Sequence, residues 1–216
     1  MTKWVLPIMG FTENASRATG VEKLWADMRR YSSRGVVVLT PREWRDDMDA
    51  LASFISRNSN CEAAVLVVAY SWGCGVGFRR FAQAAWVLGF PVVCACLADP
   101  VYRSPILPSW LPLNPLSLTR VPRLGVPASV RNVRWVRQST DIPAGHDLYA
   151  EDPGMTCIDP PLWCECGHRT IDDSPAFKRI VLEAVEEFAQ ATTEVRSEKA
   201  EVRSEDAGRE NCRRQK

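Results

Sequence analysis

Ala63-Ala-Val-Leu-Val-Val-Ala-Tyr-Ser71-Trp-Gly-Cys-Gly-Val-Gly77 is the stretch whose reading decides the fold. An unbroken apolar run stops at Ser71, small residues follow, and Phe78 to Leu88 carries helical spacing. A buried strand that turns sharply into a helix reads this way, with the serine on the turn. So tight a corner forces the serine into a strained backbone and lifts its hydroxyl above the sheet. Side chains two positions before and after it would collide, and Ala69 and Gly73 stand there. The N–H of Trp72, at the start of the new helix, is where an oxyanion would bind. The simpler reading is a serine that caps a helix.

Composition bounds the alternatives. The chain has 216 residues, 46% of them hydrophobic, enough for one domain with a real core. Lys and Arg number 27 against 26 Asp and Glu, so no basic footprint for nucleic acid is expected. No apolar run reaches membrane-span length, and Trp4 to Met9 is too short for a signal-peptide core. A cytoplasmic location is expected. The eight cysteines are then expected as thiols, with Cys94 and Cys96 as small core residues.

Working outward, Trp4–Met9, Val36–Leu39, Ala63–Tyr70, Pro91–Leu97 and Val130–Val136 read as strands. Helices are expected over Gly20–Tyr31, from Pro41 with Trp44, Met48, Leu51, Phe54 and Ile55 inward, and over Phe78–Leu88. A further amphipathic helix carries Ala176, Phe177, Ile180, Val181, Ala184, Val185 and Phe188. Alternation of strand and helix predicts an α/β fold: a mostly parallel sheet of five to six strands with helices on both faces. Continuous apolar strands agree, because both faces are buried. Ligand chemistry in such sheets collects at the carboxyl ends of the strands, where Gly10-Phe11, Ser71 and Asp99 lie. The proline-rich, apolar segment Tyr102–Pro127 is expected to pack over the sheet, with a flap forming an apolar acyl pocket as the alternative. The domain is expected to span 1–191. A charged tail over 192–216 follows, with the tandem repeat Glu194-Val-Arg-Ser-Glu-Lys-Ala and Glu201-Val-Arg-Ser-Glu-Asp-Ala. It is too polar for a coiled-coil seam and is expected to be disordered or a frayed helix.

A serine nucleophile needs a base within hydrogen-bond reach, and the base needs an orienting carboxylate. The chain has two histidines. His168, in Gly-His-Arg-Thr-Ile-Asp before the last helix, is the first candidate for the base, and His146 the second. For the acid, Asp99 closes the strand beside that of Ser71. Asp141, after the fifth strand, is the alternative, and Asp147 a third choice. Each of these aspartates also fits a turn or cap. A competing constellation is zinc on Cys157, Cys164, Cys166 and His168, which would deny His168 to Ser71. It would make the chain a zinc-stabilised or non-catalytic binding module.

Ala-Tyr-Ser71-Trp-Gly, Leu-Ala-Asp99-Pro-Val and Gly-His168-Arg-Thr-Ile-Asp together resemble the α/β-hydrolases of lipase and esterase type, from Trp4 to about Gln190. The resemblance implies a three-layer α/β-hydrolase-like sandwich. It implies a Ser71–Asp99–His168 triad, with an oxyanion hole from the N–H of Trp72 and one from the loop at Phe11 or Thr12. It further implies a serine esterase or lipase, with thioesterase or peptidase activity left open, acting on a small-molecule or lipid ester through an acyl-enzyme, with no cofactor and no metal. The sequence departs from the family at Ala69, which replaces the first elbow glycine. No His-Gly-Gly run follows the first strand, and Pro160 and Pro161 break the strand expected before His168.

Overall fold

The computed structural model describes residues 1–11, 20–59, 62–102, 123–141 and 144–191. Among the described residues, nine strands and the helices between them form three layers. β1 (Thr2–Ile8), β2 (Val36–Val38), β3 (Ala63–Tyr70), β4 (Val92–Ala98), β6 (Val130–Gln138), β8 (Cys157–Ile158) and β9 (Leu162–Cys164) make one sheet. Its order is β2-β1-β3-β4-β6-β8, with β9 also on β6, and all its pairings are parallel. β5 (Leu124–Val126) and β7 (Leu148–Ala150) form a separate parallel pair. The main sheet thus has seven described strands rather than five or six. The extra ones arise because Pro160 and Pro161, which cannot donate to a ladder, split the last rank into β8 and β9.

All eight residues of β3 are buried, and their side chains alternate between two cores. Ala63, Val65, Val67 and Ala69 face α2 (Met48–Arg57) and α3 (Arg79–Val87), where Met48, Ile55, Phe78 and Phe81 pack. Ala64, Leu66, Val68 and Tyr70 face α1 (Gly20–Met28) and α4, whose described part spans 175–191 and contributes Phe177, Val181 and Val185. Each buried valine or leucine is worth about 1.5–3 kcal/mol, so one polar substitution in β3 would cost about that much in the core its side chain faces. Lys3 ties β1 to α4: its buried ammonium donates to the carbonyls of Phe188 and Ala189.

Two local expectations are corrected. α2 begins at Met48, not at Pro41. Arg42 N–H donates to the Pro7 carbonyl and Met9 N–H to the Arg42 carbonyl, so this segment extends the ladder beside β1. Asp47 then caps α2 by accepting from Ala50 N–H at 2.9 Å. Among the cysteines, Cys164 and Cys166 are joined as a disulfide, whereas Cys74, Cys94 and Cys96 are buried thiols and Cys157 is an exposed one. The proline-rich stretch 103–122, Thr12 and the tail 192–216 lie outside the described residues. No helix among the described residues is long and apolar enough to cross a membrane.

Candidate active site

Sheet register delivers the site. Tyr70 lies opposite Ala98, Ala98 opposite Val136, and Gln138 opposite Cys164. The residues just past these positions therefore emerge side by side at the carboxyl edge. They are Ser71 after β3, Asp99 after β4, Gln138 at the end of β6, and His168 four residues beyond β9.

Ser71 has φ 53° and Asp99 φ 42°, the two non-glycine residues in the left-handed region among those described. Such conformations cost about 1–2 kcal/mol each and persist only where neighbours enforce them. The enforcement is visible. Ser71 N–H donates to Ala98 O at 2.9 Å, and Ser71 O accepts from Cys74 N–H and Val101 N–H, each at 3.1 Å. Asp99 N–H donates to Val136 O at 2.9 Å. After Ser71 the helix opens as a π-turn over Gly73–Phe78 before continuing as α3. A Cβ on Gly73 would stand 2.7 Å from the carbonyl oxygens of Ile8 and Met9, so only glycine lets this turn press against β1.

Ser71 Oγ is 2.9 Å from His168 Nε2. His168 Nδ1 is 2.6 Å from Asp99 Oδ2. A carboxylate only accepts, so Nδ1 carries a proton, and in the neutral imidazole Nε2 then presents its lone pair to the serine hydroxyl. All three side chains are buried, Asp99 completely. The Asp99 carboxylate takes two more donors: Gln138 Nε2–H to Oδ2 at 3.0 Å and Gly145 N–H to Oδ1 at 3.0 Å. Tyr70 O–H donates to the His168 carbonyl at 2.7 Å, and the two rings lie 5.3 Å apart. His168 opens a 3-10 turn, His168–Asp173, directly before α4.

The other candidates fall elsewhere. Asp141 is exposed and enters the network through its backbone, whose carbonyl accepts from Gln138 Nε2–H at 3.1 Å. Asp147 pairs with Arg137. His146 is buried, and its backbone N–H donates to the Pro100 carbonyl. Burial first, and the Arg137 charge second, hold its imidazole below the usual histidine range. The zinc set is not assembled. His168 faces Ser71 and Asp99, Cys164 is bonded to Cys166, and no metal-binding cluster occurs among the described residues.

Phe11 and Trp72, named from sequence for the oxyanion hole, meet at the elbow with ring centroids 3.9 Å apart, and Trp44 packs edge-on against Trp72. Gly10 runs so close that a Cβ there would lie 3.1 Å from Ser71 Cβ. Gly10 and Phe11, which follow β1, therefore lie beside the serine elbow. Phe11 remains 41% exposed, which leaves an aromatic face on the rim.

Sequence reasoning missed Gln138, Gly145 and Tyr70. Gln138 carried a signal: it is a polar residue at a buried register position of β6. Ending that strand at Val136 hid it.

No protein-family model matches this chain, and no curated protein matches it. What the site can do follows from its own geometry. It holds a hydroxyl against an imidazole, which a buried carboxylate orients.

Proposed function

We propose that this chain is a serine hydrolase of the α/β-hydrolase type, which cleaves a carboxylic ester through an acyl-enzyme. The observation that carries the reading is the continuous hydrogen-bonded chain from Ser71 Oγ through His168 to Asp99, built on a strained strand-to-helix corner. In the reaction, His168 Nε2 takes the hydroxyl proton as Ser71 Oγ attacks the ester carbonyl carbon. Asp99, fixed on Nδ1–H, stabilises the imidazolium that forms. The N–H groups of Trp72 and Phe11 receive the negative oxygen of the tetrahedral intermediate, each worth about 10²–10³ in rate. His168 Nε2–H then protonates the leaving alcohol, and the acyl group stays on Ser71. Water enters, gives its proton to Nε2 and attacks the acyl carbon. The collapse returns the proton to Ser71 Oγ and releases the acid. The exposed face of Phe11 favours an apolar group on the substrate next to the scissile bond.

The test is hydrolysis of p-nitrophenyl esters. Wild type turns over, and Ser71→Ala loses on the order of 10⁶ in kcat. Turnover that survives in Ser71→Ala would show that Ser71 is not the nucleophile.

A further inference from the structure

At the end of β6, where the alternative acid of the sequence reading would be sought, the chain carries an amide that reaches back to Asp99. The Gln138 side chain is 1% exposed, and its two ends are told apart by their neighbours. One end receives Thr140 N–H at 2.8 Å and Asp141 N–H at 2.7 Å, so it must be the oxygen. The other faces Asp99 Oδ2 at 3.0 Å and the Asp141 carbonyl at 3.1 Å, both acceptors, so it must be the NH₂. Gln138 is thereby locked in one orientation, with its donor on the oxygen that also holds His168 Nδ1. Gly145 N–H occupies the other oxygen, and a Cβ at 145 would sit 2.2 Å from it. The carboxylate is clamped from three sides, and the same amide curls the 139–141 turn through backbone groups of Thr140 and Asp141.

We infer that Gln138 is a positioning residue for the hydrolytic reaction, acting through Asp99. This inference rests on the serine-hydrolase reading. Its amide fixes the Asp99 rotamer against His168 and shares the negative charge on Oδ2. It thereby sets how strongly the carboxylate holds the imidazolium. The titratable and charged groups around the carboxylate are His168, His146, Asp141, Arg137 and Asp147. Of these, only His168, which shares Asp99 Oδ2 with the Gln138 amide, lies on the path of the proton. Removing the amide donor leaves more charge on Oδ2 for His168, so deprotonating the base requires a higher pH. Placing a second carboxylate there does so more strongly.

The experiment measures the rate at which a fluorophosphonate labels Ser71, from about pH 4 to pH 9, in wild type, Gln138→Glu and Gln138→Met. Gln138→Glu keeps an oxygen for Thr140 N–H and Asp141 N–H, while it replaces the donor to Asp99 and to the Asp141 carbonyl by a second carboxylate. Gln138→Met removes both. The inference expects the acidic limb of the rate profile to move to higher pH in both variants, by about one pH unit or more in Gln138→Glu. It also expects the plateau rate in Gln138→Met to fall about tenfold or more. A role confined to bracing the turn would lower the melting temperature of Gln138→Met and leave both limbs where they are in wild type. That result overturns the inference while leaving the hydrolase reading intact. Absence of labelling in folded wild type overturns the hydrolase reading, and the role of Gln138 falls with it.

Discussion

Asp99→Asn is the perturbation whose effect follows most directly from the hydrogen-bond pattern. Gly145 N–H needs an acceptor at the Oδ1 position, so the new amide oxygen stays there. The NH₂ then replaces Oδ2, facing His168 Nδ1 at 2.6 Å and Gln138 NH₂ at 3.0 Å. Gln138 cannot turn over to help, because Thr140 N–H and Asp141 N–H both require its oxygen. The imidazole responds by moving its proton to Nε2 and accepting on Nδ1. In that tautomer it donates to Ser71 and cannot take the serine proton. The loss expected from a triad amide in this wrong-tautomer state is on the order of 10⁴ in kcat/KM, about 5.4 kcal/mol of transition-state stabilisation. The buried NH₂ set against Gln138 costs a further ~1–3 kcal/mol of folding stability. Asp141→Asn changes a group that meets this network through its backbone, so its ester turnover stays within about threefold of wild type. Steady-state hydrolysis of a p-nitrophenyl ester measures both. An Asp99→Asn enzyme within tenfold of wild type would refute the reasoning. So would an Asp141→Asn enzyme as damaged as Asp99→Asn is expected to be.

Two stability predictions follow from the same site. Ser71→Gly relieves the positive φ that Ser71→Ala retains, so it melts about 2–4 °C higher than Ser71→Ala in a thermal unfolding scan, though neither is active. Equal melting temperatures would mean that the corner stores no strain. His146 is held below its ordinary range of 6.5, chiefly by burial, so the unfolded chain takes up that proton before the folded one does. Stability therefore falls as pH drops below about 6.5, by up to ~1.4 kcal/mol per pH unit for this group, and is regained above it. Urea midpoints between about pH 7 and pH 5 should fall less steeply in His146→Gln than in wild type. A steeper fall would reverse the sign argued here.

Much of this architecture is legible in residue types. The alternating burial of β3 on two cores follows from an apolar run too uniform for one-sided exposure. Ser71 and Asp99 close apolar strands and His168 precedes the last helix, so all three are legible in the sequence. Less legible were features decided by partners remote in sequence. Pro41 looks like a helix start, but the carbonyls of β1 claim the backbone that follows it, and the true cap is Asp47. Pro160 and Pro161 look like the end of a strand, yet β6 pairs with the chain on both sides of them. The Cys164–Cys166 pair sits on the turn that carries His168, where spacing alone had suggested metal ligands. Gln138 is a polar residue at a buried strand position, but its importance lies in two backbone N–H groups and a carboxylate that folding brings to it.

The central claim is that Ser71 is a nucleophile activated by His168. It is tested most directly by exposing the folded chain to a fluorophosphonate probe and mapping the adduct by mass spectrometry. The account predicts a single adduct on Ser71, its formation slowed on the order of 10³-fold or more in His168→Ala. Folded wild type that takes no label, or takes it on another residue, would contradict it.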